Sequence, residues 1–199
     1  MSAKRNRVRL HLLAGPTEPV ITLDEAKLHC RVDGGDEDGR ITALIAAATV
    51  WLDGRDGFLG RCLKPQSWQA IADRFPCRAV ELPLPPTIAV EAIAYFDPAG
   101  TLQTLAASTY RVVEGGFRGA TIVPRPDLSW PATACELDAV RITFRAGYEA
   151  VPEPLRQAML LMIGDWYENR GNVVVGATVA PLPIAAETLL SAYRIATVA

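Results

Sequence analysis

The sequence predicts an α+β protein: a small helical bundle core with an inserted β-rich lobe and an extended C-terminal arm. Two changes of pattern carry this prediction. Apolar residues recur at helical spacing in Ile41, Leu44, Ile45, Ala48 and Leu52, and again along the run from Leu155 to Asn169. Between about Pro65 and Gly147 the apolar runs become short, β-branched and aromatic residues rise, and proline or glycine punctuates each segment. The expected organisation is an N-terminal arm over 1–20, a helical core from 21–64 and 150–172, a β-rich lobe over 65–149, and an arm with a short helix over 173–199.

Thr22-Leu23-Asp24-Glu25 is a capping box, in which the threonine hydroxyl caps the third amide and Glu25 reaches back, so a helix runs from about Leu23 to Arg31. Val32-Asp33-Gly34-Gly35 breaks it. A second helix follows from the acidic start near Asp36, which complements the helix dipole, and its end frays at Gly54 and Gly57. Expected strands in the lobe are Ser67–Arg74, Val80–Leu82, Ala89–Phe96, Tyr110–Glu114, Ala120–Val123 and Ala139–Ala146. Trp68, Tyr110, Val112, Ile142 and Phe144 are expected to pack inside it, because alternation along Arg141–Arg145 sends the two large apolar residues to one face. Pro152 and Pro154 suit the start of the long helix, Gly171 stops it, and a last short helix spans Ile184–Arg194. The bundle core is expected to bury Ile41, Leu44, Ile45, Ala48, Leu155, Met159, Leu160, Met162 and Ile163. Val8–Leu13 is left open between strand, arm and disorder.

Composition excludes several functions. The chain has 199 residues and is half hydrophobic, with 20 Lys and Arg against 22 Asp and Glu, so no global excess of positive charge grips nucleic acid. Basic residues crowd only at Lys4, Arg5, Arg7 and Arg9. No run approaches the roughly 18–20 apolar residues of a membrane span, and the expected place of synthesis is the cytoplasm. Cys30, Cys62, Cys77 and Cys135 fit neither a zinc pattern nor a disulfide scaffold.

Chemical constellations fail on spacing. Asp33 to Asp38 resembles a calcium loop, but the third and twelfth positions from Asp33 are Gly35 and Leu44. His11 and His29 have no metal-ligating or triad partners at suitable spacing, and no phosphate-cradling glycine motif is present; Gly54–Gly60 reads as a flexible helix end. The expectation is therefore no catalytic residue, no metal, no cofactor and no enzyme. Interaction is the remaining chemistry. Trp166, Tyr167 and Arg170 close the long helix, and Trp166 and Tyr167 are open to two readings, core anchors or contacts with a neighbouring chain. Val173, Val174 and Val175 begin an extended segment cut by Gly176, Pro181 and Pro183, and Leu189, Leu190 and Tyr193 give the last helix an apolar anchor. Docking on another subunit is the favoured use of this tail; folding back onto its own bundle is the alternative.

The order of segments resembles a family. Ile21-Thr-Leu-Asp-Glu-Ala-Lys-Leu-His, Val32-Asp with its acidic patch, Ala43-Leu-Ile-Ala-Ala-Ala, Trp68, Leu82-Pro-Leu-Pro-Pro, Ile93-Ala-Tyr-Phe-Asp, Tyr110-Arg-Val, Ser129-Trp-Pro, Val140-Arg-Ile-Thr-Phe-Arg-Ala-Gly-Tyr, Val151-Pro-Glu-Pro-Leu-Arg-Gln-Ala, Trp166-Tyr-Glu-Asn-Arg and Ala192-Tyr-Arg together resemble head-tail connector (adaptor) proteins of siphophage type, including those of gene transfer agents. The resemblance runs from about Pro19 to Arg194. It implies a virion structural protein at the head-tail junction: a ring, expected to hold twelve subunits, between the portal protein and a tail-side connector or stopper, with duplex DNA passing through without sequence recognition. No catalytic residue carries over. The alternatives weighed are another virion structural protein and a nucleic-acid-binding protein.

Overall fold

In the computed structural model the described residues are 8–115, 119–169 and 183–195. The chain order is β1 (Arg9–Ala14), α1 (Leu23–Cys30), α2 (Asp38–Leu52), β2 (Gln66–Ala72), β3 (Val80–Glu81), β4 (Thr87–Phe96), β5 (Leu102–Thr104), a 3-10 turn (Ala107–Thr109), β6 (Tyr110–Val113), β7 (Thr121–Pro124), β8 (Val140–Ala146), α3 (Glu153–Glu168) and α4 (Ile184–Ser191). It divides into a β unit, from residues up to Thr17 and from Pro65–Tyr148, and a helical unit from Glu18–Lys64 and the chain from Glu149 onward.

In the β unit an antiparallel five-stranded sheet runs β1-β2-β8-β4-β5. Its centre is β8, where Val140, Ile142, Phe144 and Ala146 are buried and alternate with half-exposed Arg141, Thr143 and Arg145, as a period of two requires. Trp68 and Ala70 of β2 stand opposite Phe144 and Ile142 in the register, and buried Gln66 accepts the Trp68 indole N–H at 3.1 Å. A smaller sheet, ordered β3-β7-β6, buries Ile122 and Tyr110.

One open reading is resolved in this unit and one expectation is corrected. Arg9–Ala14, where the sequence leaves strand, arm and disorder open, pairs with β2 as an edge strand, so the β unit is not assembled from inserted sequence alone. Val112 is 41% exposed although it shares the Tyr110 face, because β6 is the outer strand and is paired only to β7.

The helical unit begins with the expected cap: the Thr22 hydroxyl accepts from the Glu25 amide, and the Glu25 carboxylate accepts the Thr22 amide at 2.8 Å. Arg31, in the left-handed conformation, ends α1. Helix α3 carries Leu155, Ala158, Met159, Met162 and Ile163 inward, and α1, α2 and α4 all pack on it. Gly164 lets α1 come close, since a Cβ there would lie 3.1 Å from His29 Nε2. Ile41, Ile45, Ala48 and Leu52 form the covered side of α2. Leu44 and Leu160, expected in the core, are only half-buried, because each lies at the margin of its helix's covered arc.

The chain after α2 is not a fraying end. Gly54 N–H donates to the Arg61 carbonyl at 2.8 Å, Phe58 N–H to the Trp51 carbonyl at 2.8 Å, and Leu63 N–H to Asp53 Oδ1 at 2.6 Å. A side chain at Gly57 would collide with the Asp53 carbonyl, 2.3 Å from the Cβ position. Leu59, Cys62 and Leu63 are buried in consequence.

These burials rank two substitutions. Ile41→Ala removes a fully buried side chain and is expected to cost about 2–5 kcal/mol in chemical denaturation. Leu44→Ala, half-exposed already, is expected to cost roughly 1 kcal/mol; equal losses would contradict the orientation of α2.

Candidate interaction surface

At the end of α3, Trp166 and Tyr167 are half-buried. Arg40 of α2 holds this end: its guanidinium lies 4.7 Å over the Tyr167 ring and donates to the Tyr167 carbonyl at 2.8 Å. A cation placed on a C-terminal carbonyl satisfies an otherwise open acceptor and opposes the negative end of the helix dipole. Tyr167 thus serves its own unit as well as the surface. Arg170, Val173, Val174 and Val175 lie outside the described residues.

The last helix is shorter than expected, Ile184–Ser191 against Ile184–Arg194, and it folds back. Leu190 and Ala186 are buried in the helical unit, Leu189 and Tyr193 are half-buried, and α4 packs on α3. Two contacts fix its far end: Arg61 Nε donates to the Tyr193 carbonyl at 2.7 Å, and Ile195 N–H donates to the Leu59 carbonyl at 3.0 Å. The anchor triplet Leu189, Leu190 and Tyr193 is therefore split, with Leu190 facing inward. What α4 leaves in solvent is a different set: Ile184, 78% exposed, with Ala185, Glu187, Thr188 and Ser191.

A second outward face belongs to α2 and has no counterpart among the expected site residues. Ala43, Ala46, Ala47 and Val50 are exposed at helical spacing, Val50 by 77%. No charged residue occurs between Arg40 and Asp53, and this uncharged run was the available signal. Beyond α2, Arg55, Phe58, Gly60, Ser191, Arg194 and Ile195 border an open cleft of about 600 Å³. There the Arg194 guanidinium lies 4.4 Å over the Phe58 ring, which stacks on Trp51 at 4.6 Å.

The perturbed ionisable groups occupy structural places. The Thr22 amide and hydroxyl, with Arg156 beside them, hold the Glu25 carboxyl below its ordinary value. Arg156 also donates to the Val20 carbonyl at 2.7 Å, joining the start of α3 to the start of α1. Asp97 is lowered by the Thr101 amide, the Gln103 side chain and the Ala99 amide in its turn. Burial raises the Cys30 thiol, with Glu168 adding to the shift. Among the described residues no three His, Cys, Asp or Glu side chains gather as a metal site would need.

Residues 20–95 match the family model for phage gp6-like head-tail connector proteins. That stretch is less than half of the chain. Similar solved chains come from assembled particles. One lies in the neck of an empty gene transfer agent (GTA) particle with C6 symmetry: 23% identity, TM-score 0.75, covering 96% of this chain and 97% of that one. A second, from the virion of a native GTA particle, has 22% identity and TM-score 0.73 with the same coverage. A third, in the neck of a native GTA particle with C12 symmetry, has 20% identity and TM-score 0.64. At these identities the likeness is one of fold, and it extends over both units. The comparison with curated proteins gives no match. The matching family and structures are described as connectors and particle necks, not as enzymes.

The lowered Glu25 carboxyl has a signed consequence. Its folded value lies below the unfolded one, so its contribution is complete above the unfolded value and fades as pH falls through the folded value. Glu25→Gln is expected to destabilise the protein at neutral pH and by less in acid; a loss unchanged across an acid titration, followed by thermal melts, would remove the Glu25 charge from this account.

Proposed function

We propose that this protein is a structural subunit of the head-tail connector, the adaptor at the head-tail junction of a phage or gene transfer particle. The observation that carries the reading is correspondence along almost the full length of both chains with a protein of a particle neck. The match of residues 20–95 to the connector family model supports it independently. In this reading the subunits form a ring of twelve between the portal protein and a tail-side connector or stopper. The similar necks are computed with C6 and C12 symmetry, which supports a ring, since a sixfold axis is contained in a twelvefold one.

Duplex DNA passes through the ring without being read. The net charge of -2 suits passage, because a wall of closely spaced lysine and arginine would hold the phosphates by counterion release. The described helices carry no basic stripe: α2 has no charge from Ile41 to Leu52, and α4 carries only Glu187. Trp166, Tyr167, Arg170, Val173, Val174 and Val175 remain the proposed contacts with the portal or an adjacent subunit. Leu189 and Tyr193, both half-buried, complete the proposed set, while Leu190 seats α4 in its own unit.

Electron microscopy of the purified protein, alone and mixed with portal-containing heads, tests the reading. The expected result is rings or capped portal vertices. A monomer that ignores the heads and binds duplex DNA tightly would replace the connector with a nucleic-acid binder. Replacing Val173, Val174 and Val175 together by serine is expected to leave the circular dichroism spectrum unchanged and reduce capping; undiminished capping would remove them from the contact.

A further inference from the structure

We infer that copies of this chain associate head to tail through two helical faces, with α2 of one copy crossing α4 of the next. The inference deepens the ring reading and rests on it. Its physical basis is the composition of α2. A helix that is apolar all round is normally buried all round. From Ile41 to Leu52 this helix has no charge, yet the described residues cover only the side bearing Ile41, Ile45, Ala48 and Leu52. Ala43, Ala46, Ala47 and Val50 are left in water. Even the polar Thr49 turns inward on the helix, its hydroxyl donating to the Ile45 carbonyl at 2.8 Å.

A closed ring requires two different complementary surfaces on each subunit, because every contact is head to tail. The helical unit supplies the second surface on α4, where Ile184, Ala185 and Thr188 face outward, with Glu187 and Ser191 exposed beside them. The Thr188 hydroxyl donates to the Ile184 carbonyl at 2.9 Å and so makes little demand on a partner. Both helices lean on α3, which gives their outward faces to different parts of the unit's surface. Small side chains at Ala43, Ala46 and Ala47 allow an incoming helix to approach closely.

Charge favours one direction of crossing, with the Arg194 guanidinium turning from the Phe58 ring to the neighbouring copy. Asp33 and Asp36 are exposed before the start of α2, and Arg194 is exposed after the end of α4. An antiparallel crossing sets Arg194 near the two aspartates. A parallel one would carry Arg194 to the far end of α2, away from them. In the antiparallel arrangement the midpoints of the helices meet, placing Ala46 against Thr188.

The test uses the full chain, alone and on portal-containing heads, with copy number read by native mass spectrometry and by protein quantitation per head. Ala46→Glu and Thr188→Glu each place a charge in the apolar contact and are expected to abolish association. Circular dichroism spectra matching the parent, and retained association of Ala46→Ser, separate this loss from misfolding. The double variant Ala46→Glu/Thr188→Lys sets opposite charges across each contact and is expected to regain association. Normal assembly of both glutamate variants would overturn this interface while leaving the ring intact. Loss in both without recovery in the double variant would overturn the pairing of the two faces. A parent protein never found in more than one copy, alone or on heads, would end the ring reading and this inference with it.

Discussion

The helical unit is organised by the need to cover α3. Its inward residues, Leu155, Ala158, Met159, Met162 and Ile163, are too many and too widely spread around the helix for one neighbour, and three other helices pack on it. The polar contacts follow from that packing. Arg156 can join the Val20 carbonyl to Glu25 because α1 lies against the first turn of α3, and Arg40 can hold the Tyr167 carbonyl because α2 reaches its last turn. Arg61 plays the same part for α4, its largely buried side chain donating to the chain just past that helix. Three arginines thus bond backbone carbonyls of other segments in the unit, and the apolar contacts bring each within reach.

Features set by neighbours in sequence were legible in advance. The capping box at Thr22 needs only three residues, and the alternation along β8 needs only five. Both depend on local geometry that the side-chain pattern states directly. Arg61 was not legible, since an arginine in a glycine-rich stretch looks like any solvated charge and its partner, Tyr193, lies 132 positions away. β1 was ambiguous for a related reason. Leu10, Leu12 and Leu13 do not alternate cleanly, and the shift in register between Leu12 and Ala14 is what accommodates them.

Which apolar residues of the helices face outward was only partly legible, and the cause is the same at each position. Periodicity identifies the apolar residues of a helix but does not say which neighbour covers them. Leu190 and Leu189 are adjacent in sequence and equivalent in composition, yet one is buried and the other half-exposed. On α2 the sequence announced an apolar helix, while only the packing on α3 reveals that Ala46 and Val50 stay in water. A helix without charges carries more apolar surface than one contact can cover, and the position of that contact is a tertiary fact.

The interleaving of the two units along the chain has a consequence during synthesis. The β unit uses residues before Thr17 and then Pro65–Tyr148, whereas the helical unit needs α3, which begins at Glu153. A ribosome therefore releases everything the β unit requires before it releases the helix that organises α1 and α2. At about 5–20 residues per second, α2 waits roughly 5–20 s for α3 after leaving the ribosome. Throughout that interval Ile41, Ile45, Ala48 and Leu52 lack their permanent cover, so the nascent chain offers an apolar segment to chaperones before it can offer one to another subunit.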